Sequence, residues 1–127
     1  MRQRGHGAAH KSAQKHKKEE RGTALNSSAP IGFLDSGIGG ITVLNEAIRL
    51  LPNENYLFFS DSKNNPYGDK SDGEIISRCL EISNFFIKEK KCKAIVIACN
   101  TASAKAAKSM RAAYPQIPIA AIEPAYK

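Results

Sequence analysis

Lys93-Ala94-Ile95-Val96-Ile97-Ala98-Cys99-Asn100-Thr101-Ala102-Ser103 is the stretch on which the fold turns. Its first half is a continuous apolar run, which reads as a strand buried on both faces. Its second half opens an Ala-rich segment that reads as a helix from about Thr101 to Tyr114. A buried strand that passes directly into a helix is the repeating unit of a parallel α/β sheet.

The same unit recurs on either side. Ile31-Gly32-Phe33-Leu34 is a short apolar run that ends in Asp35-Ser36-Gly37-Ile38-Gly39-Gly40. Ile41, Leu44, Ile48 and Leu51 then follow at helical spacing until Pro52 stops the helix. Tyr56-Leu57-Phe58-Phe59 reads as a second buried strand, and a polar loop from Asp61 to Asp72 carries Asn64-Asn65-Pro66-Tyr67-Gly68. Ser71 and Glu74 have capping-box spacing, with Ile75, Ile76, Leu80, Ile82, Phe85 and Phe86 as the apolar side of the next helix. Ile117-Pro118-Ile119-Ala120-Ala121-Ile122 makes a fourth strand. The alternation predicts the α/β class: an open, mostly parallel sheet with helices on both faces. In such sheets the site lies beyond the carboxyl ends of the strands. Those ends carry Asp35-Ser36, Asp61-Ser62, Cys99-Asn100-Thr101 and Glu123, four polar clusters expected along one edge.

Charge divides the chain in two. Residues 1–28 hold seven Lys or Arg and two Glu, whereas 29–127 hold twelve basic and ten acidic residues. The leading segment, rich in Lys, Gln, His, Gly and Ser, has too little apolar surface to offset its ordering entropy and is expected to be a disordered basic tail. The basicity belongs to that tail, so no nucleic-acid surface is expected on the body, residues 29–127. All three histidines lie in the tail, and Cys79, Cys92 and Cys99 form no metal-ligand spacing. An odd, sparse set of cysteines suits a reducing cytoplasm, and no apolar run reaches the roughly 18–20 residues that cross a membrane.

Cys99 is the residue best placed for chemistry. It follows a buried strand and stands at a helix N-terminus, where free backbone N–H groups and the helix dipole favour an anion such as a thiolate. Asn100 and Thr101 add side-chain donors at the same helix start, suited to a carboxylate. The alternative is a buried, inert cysteine at a strand–helix junction. For Cys79, inside a predicted helix, and Cys92, just before a strand, packing is the better reading. The three glycines after Asp35-Ser36 let backbone approach a ligand, but they form neither a dinucleotide fingerprint nor a P-loop. Asp35 could assist proton transfer or cap the helix. Tyr67 and the Gly68 N–H could close over a small anion, or Pro66-Tyr67-Gly68 could be an ordinary turn.

Asp35-Ser36-Gly37-Ile38-Gly39-Gly40, Pro66-Tyr67-Gly68 and Ala98-Cys99-Asn100-Thr101-Ala102-Ser103, in that order and each near a strand end, resemble the motifs of the glutamate racemases of the aspartate/glutamate racemase family. Ile122-Glu123-Pro124-Ala125 resembles that family's next strand end. The resemblance covers about residues 30–127 and departs at Ser60, where glycine is frequent, and at Asp72-Gly73. It implies one of two pseudo-symmetric α/β domains and an isomerase that interconverts L- and D-glutamate for peptidoglycan, without pyridoxal phosphate or metal. Racemisation needs a base on each face of Cα. The resemblance implies Cys99 as one base, assisted by Asp35. It further implies that Asp35, Ser36, Tyr67, Gly68, Asn100 and Thr101 hold the substrate's amino and carboxylate groups.

The family's second motif, Cys-Thr-His, has no counterpart here, and the body contains no histidine. The chain therefore reads as a fragment, inactive alone, whose partner is the missing second racemase domain, with room for a homodimer. Other readings are a racemase of another amino acid such as aspartate, and a non-catalytic binding remnant. A cysteine-dependent phosphatase would need Cys-x5-Arg, but Lys105 stands in the arginine's place. A receiver-type module would use Asp61 and would not need Cys99.

Overall fold

The computed structural model describes residues 28–122. The expected tail and the Glu123-Pro124-Ala125 strand end lie outside them, apart from Ser28. Within them a four-stranded, wholly parallel sheet runs in the order β2-β1-β3-β4. Its strands are β1 (Pro30–Asp35), β2 (Asn55–Ser60), β3 (Ala94–Ile97) and β4 (Ile119–Ala121). Three α-helices connect them: α1 (Ile41–Leu50), α2 (Asp72–Asn84) and α3 (Asn100–Ala113).

β1 pairs on both sides, with Leu34 opposite Phe59 of β2 and Ile97 of β3. Strand periodicity then sorts its side chains. Phe33 packs with Tyr56, Ala98 and Leu44 of α1 on one face. Leu34, Ile95 and Ile97 pack with Ile75, Cys79 and Ile82 of α2 and Ala102, Ala106 and Met110 of α3 on the other. One helix covers the first face and two cover the second, which is the expected architecture.

Local chemistry sets the element ends. Ser71 caps α2 reciprocally: its Oγ accepts the Glu74 N–H at 3.1 Å while its own N–H donates to Glu74 Oε1 at 2.9 Å. Beyond Asn84 the helix widens into a π-helical turn, Phe85–Glu89. The expected strand over 117–122 pairs only across Ile119–Ala121. Pro118 has no N–H to donate, and the Ile117 N–H is turned back to the Tyr114 carbonyl at 3.1 Å. Helix α3 starts one residue before its expected position, because Cys99 itself is the N-cap.

Gly32 is the close-packed point of β1. A Cβ there would lie 2.8–2.9 Å from the Phe86 ring, itself buried and edge-on to Phe59. Gly32→Ala is expected to destabilise the domain by about 1–3 kcal/mol through overpacking, read as a lower urea midpoint with unchanged slope.

Candidate active site

Asp35 ends β1 and is buried. Its Oδ2 accepts the Gly40 N–H at 2.7 Å, which draws the glycine turn back over the strand end. A Cβ on Gly40 would meet Ala98 Cβ at 2.8 Å and the Ala98 carbonyl at 3.0 Å, so only glycine lets α1 begin this close to β3. Two backbone bonds fasten the neighbouring strand ends to β1: Asp61 N–H to the Asp35 carbonyl at 2.9 Å, and Ala98 N–H to the Leu34 carbonyl at 2.8 Å.

Across this edge Cys99 caps α3. Its Sγ accepts the Ala102 N–H at 3.5 Å and donates to Ser36 Oγ at 3.6 Å. Asp35, Ser36, Cys99 and Asn100 thus share the wall of an open cavity of about 580 Å³ with Ile38 and Asn65. The cavity presents a carboxylate, a hydroxyl, a thiol and an amide together, which suits a small zwitterion better than an apolar ligand.

Three expected site residues are placed otherwise. Thr101 is half-buried in the first turn of α3 and does not line the cavity. Gly68 sits in a 3-10 turn, Tyr67–Asp69, also off the cavity wall. Tyr67 is buried, and its hydroxyl donates to Asp61 Oδ2 at 2.5 Å. Burial and that carboxylate raise its pKa. Asn65, by contrast, lines the cavity although nothing in its residue type announced it; its place before Pro66, in the motif-bearing loop, was the available signal.

Asp61 is fully engaged. Arg78 grips it with Nε at 2.8 Å and Nη2 at 2.9 Å, and Asn64 Nδ2 adds a bond at 3.1 Å. Burial alone would raise its pKa, but the hydrogen bonds from Arg78, Tyr67 and Asn64 overcome that and bring it down to about 2. A carboxylate 2% exposed with both oxygens occupied is no phosphoryl acceptor, which removes the ground for the receiver-type reading.

The other thiols are deep in the protein. Burial, with smaller contributions from Cys99 and Asp61, pushes Cys79 up to about 12, and burial pushes Cys92 up to about 11. Neither has appreciable thiolate at neutral pH. Iodoacetamide at pH 8 should therefore modify Cys99, on the cavity wall, at least about tenfold faster than either, as read by peptide mass. Faster labelling of Cys79 or Cys92 in folded protein would contradict this placement. Among the described residues no group of three or more His, Cys, Asp or Glu is gathered as metal ligands would be, and no helix is long and apolar enough to cross a membrane.

No protein-family model matches the chain. Individual proteins do. The chain is 54% identical over 100 residues to a glutamate racemase of Clostridium perfringens strain 13, covering 79% of this chain and 38% of that protein. It is 50% identical over 100 residues to one of Stutzerimonas stutzeri, with the same coverage. Among solved structures, Escherichia coli glutamate racemase in complex with L-glutamate and the activator UDP-MurNAc-Ala superposes with TM-score 0.75 at 32% identity, covering 79% of this chain and 37% of that one. The Thermus thermophilus enzyme in complex with beta-chloro-D-alanine gives TM-score 0.70 at 41% identity, covering 75% and 36%. The chain spans little more than a third of the length of the curated relatives it matches. Over about four-fifths of its own length, the chain is similar in sequence and fold to part of these glutamate racemases.

Proposed function

We propose that this chain supplies one face of a cofactor-independent glutamate racemase site that makes D-glutamate for peptidoglycan. The observation that carries the reading is Cys99 at the N-terminus of α3, facing the same cavity as Asp35, Ser36 and Asn100. On this reading the Cys99 thiolate takes or returns the Cα proton on one side of glutamate, and Asp35 assists. Ser36 and Asn100 orient the substrate's amino and carboxylate groups. The Ala102 N–H on Sγ helps hold the sulfur's charge between transfers. Abstracting a Cα proton leaves a poorly stabilised carbanion, and inversion requires that a second acid on the opposite face return the proton. That second thiol comes from another domain, of the Cys-Thr-His type, set over the open side of the cavity. Free cysteines suit a cytoplasmic setting for the assembly.

The test is D-glutamate formation from L-glutamate, by these 127 residues alone and by the same residues joined to a domain carrying Cys-Thr-His. The first should not turn over and the second should. Robust racemisation by the 127 residues alone would overturn the two-domain requirement.

A further inference from the structure

We propose that Arg78 is a positioning residue of this site, acting through Asp61 and Tyr67 to fix the 61–70 loop as a rigid wall beside Cys99. What that wall serves rests on the racemase reading; the wall itself does not.

Arg78 lies in α2, 17 residues from Asp61, and its guanidinium meets both carboxylate oxygens. Asp61 stands at the end of β2 and is tied through its N–H to the Asp35 carbonyl, so the grip is anchored on the strand that carries the site. Through Oδ2 the grip reaches Tyr67, whose ring shares one buried cluster with Cys79, Cys99 and Ala102. The turn that holds Tyr67 also packs against α3. Two residues before Tyr67, Asn65 lines the cavity beside Gly37, where a Cβ would stand 3.2 Å from its Nδ2. One guanidinium therefore sets both the ring packed near the thiol and the amide on the cavity wall. The Tyr67 hydroxyl, occupied by Asp61, does its work on the wall rather than on substrate. A lysine would keep the charge but lose the fork that fixes the angle between α2 and the loop.

The test is the rate of Cys99 alkylation by iodoacetamide across several pH values, with Cys92, at the opposite end of β3, as the control for global loosening. The pH profile separates a change in thiolate fraction from a change in access. Arg78→Gln should raise Cys99 labelling about tenfold or more while Cys92 stays protected, because a local opening exposes only what the loop covers. Arg78→Lys should recover part of the protection, and Tyr67→Phe should lose part of it. Glu81→Gln should change nothing, since Glu81 touches only the exposed side of Arg78. Unchanged Cys99 labelling in folded Arg78→Gln would overturn the proposal. So would a parallel rise at Cys92, which marks a merely structural role. If Arg78→Gln does not fold, Arg78→Lys decides by the same criterion. Because alkylation needs no second domain, a failure of racemisation leaves this result standing, and the reverse holds too.

Discussion

Cys99→Ala in an assembled two-domain enzyme should lower glutamate racemisation by about 10³-fold or more, within the range lost when a positioned acid–base group is removed. The size comes from the geometry of inversion. A proton must leave Cα on one face and return on the other, and no residue on the described cavity wall other than Asp35 and Cys99 has an ionisable side chain. Asp35 is held by the Gly40 N–H, turned toward the glycine backbone. Ser36, on the Sγ of Cys99, is too weak a base to take over. The loss should fall on kcat far more than on KM, since the sulfur contributes chiefly in the transition state. The remaining thiol can still lift and return a proton on its own face. Deuterium from solvent should then enter one enantiomer of glutamate without inversion. Chiral separation of the products, with mass analysis of Cα deuterium, reads both effects. Retained racemisation would place the base elsewhere.

Arg78→Ala should cost the domain about 3 kcal/mol at neutral pH, the lower end of the loss expected when one member of a buried pair is removed. Arg78 is partly exposed, but Asp61 is not, and its charge would be left buried with only Tyr67 and Asn64 as side-chain donors. For a domain of this size the melting temperature should drop by roughly 10–20 °C. The pH dependence gives the test its sign. In the intact protein Asp61 titrates at about 2, below the 3.8 of an unperturbed aspartate. Its contribution is fully present above the unfolded value and is lost as pH falls toward 2. Without Arg78, Asp61 takes up its proton at higher pH. The stability gap between wild type and variant should therefore be widest at neutral pH and close as pH falls below about 4. Urea midpoints across pH 3–7, where carboxylates titrate, measure it. A gap independent of pH would mean that packing of the arginine stem, not the ion pair, is what the substitution removes.

How far each signal reaches along the chain separates the features legible in the residues from those set by contacts between distant segments. The elements were legible. Apolar runs such as Ala94–Ile97 must be buried strands because no exposed surface would take them, and the Ser71–Glu74 cap must start a helix because both groups act within one turn. Cys99 at a strand–helix junction was equally plain, since the junction is written in adjacent residues. The sheet order was not. β1 lies between β2 and β3 because its two faces receive different partners, Leu44 from α1 and Ile82 from α2 among them, and that choice depends on shapes far apart in sequence. The same distance hid the fate of the polar strand ends. Asp35 and Asp61 look alike in sequence, each an aspartate followed by serine after an apolar run. Only the fold brings Arg78 onto Asp61 and leaves Asp35 at the cavity with Ser36 and Cys99, 63 residues apart in the chain. Tyr67 was legible as a motif residue, but its hydroxyl went to Asp61 because a buried carboxylate captures every donor within reach before a ligand arrives.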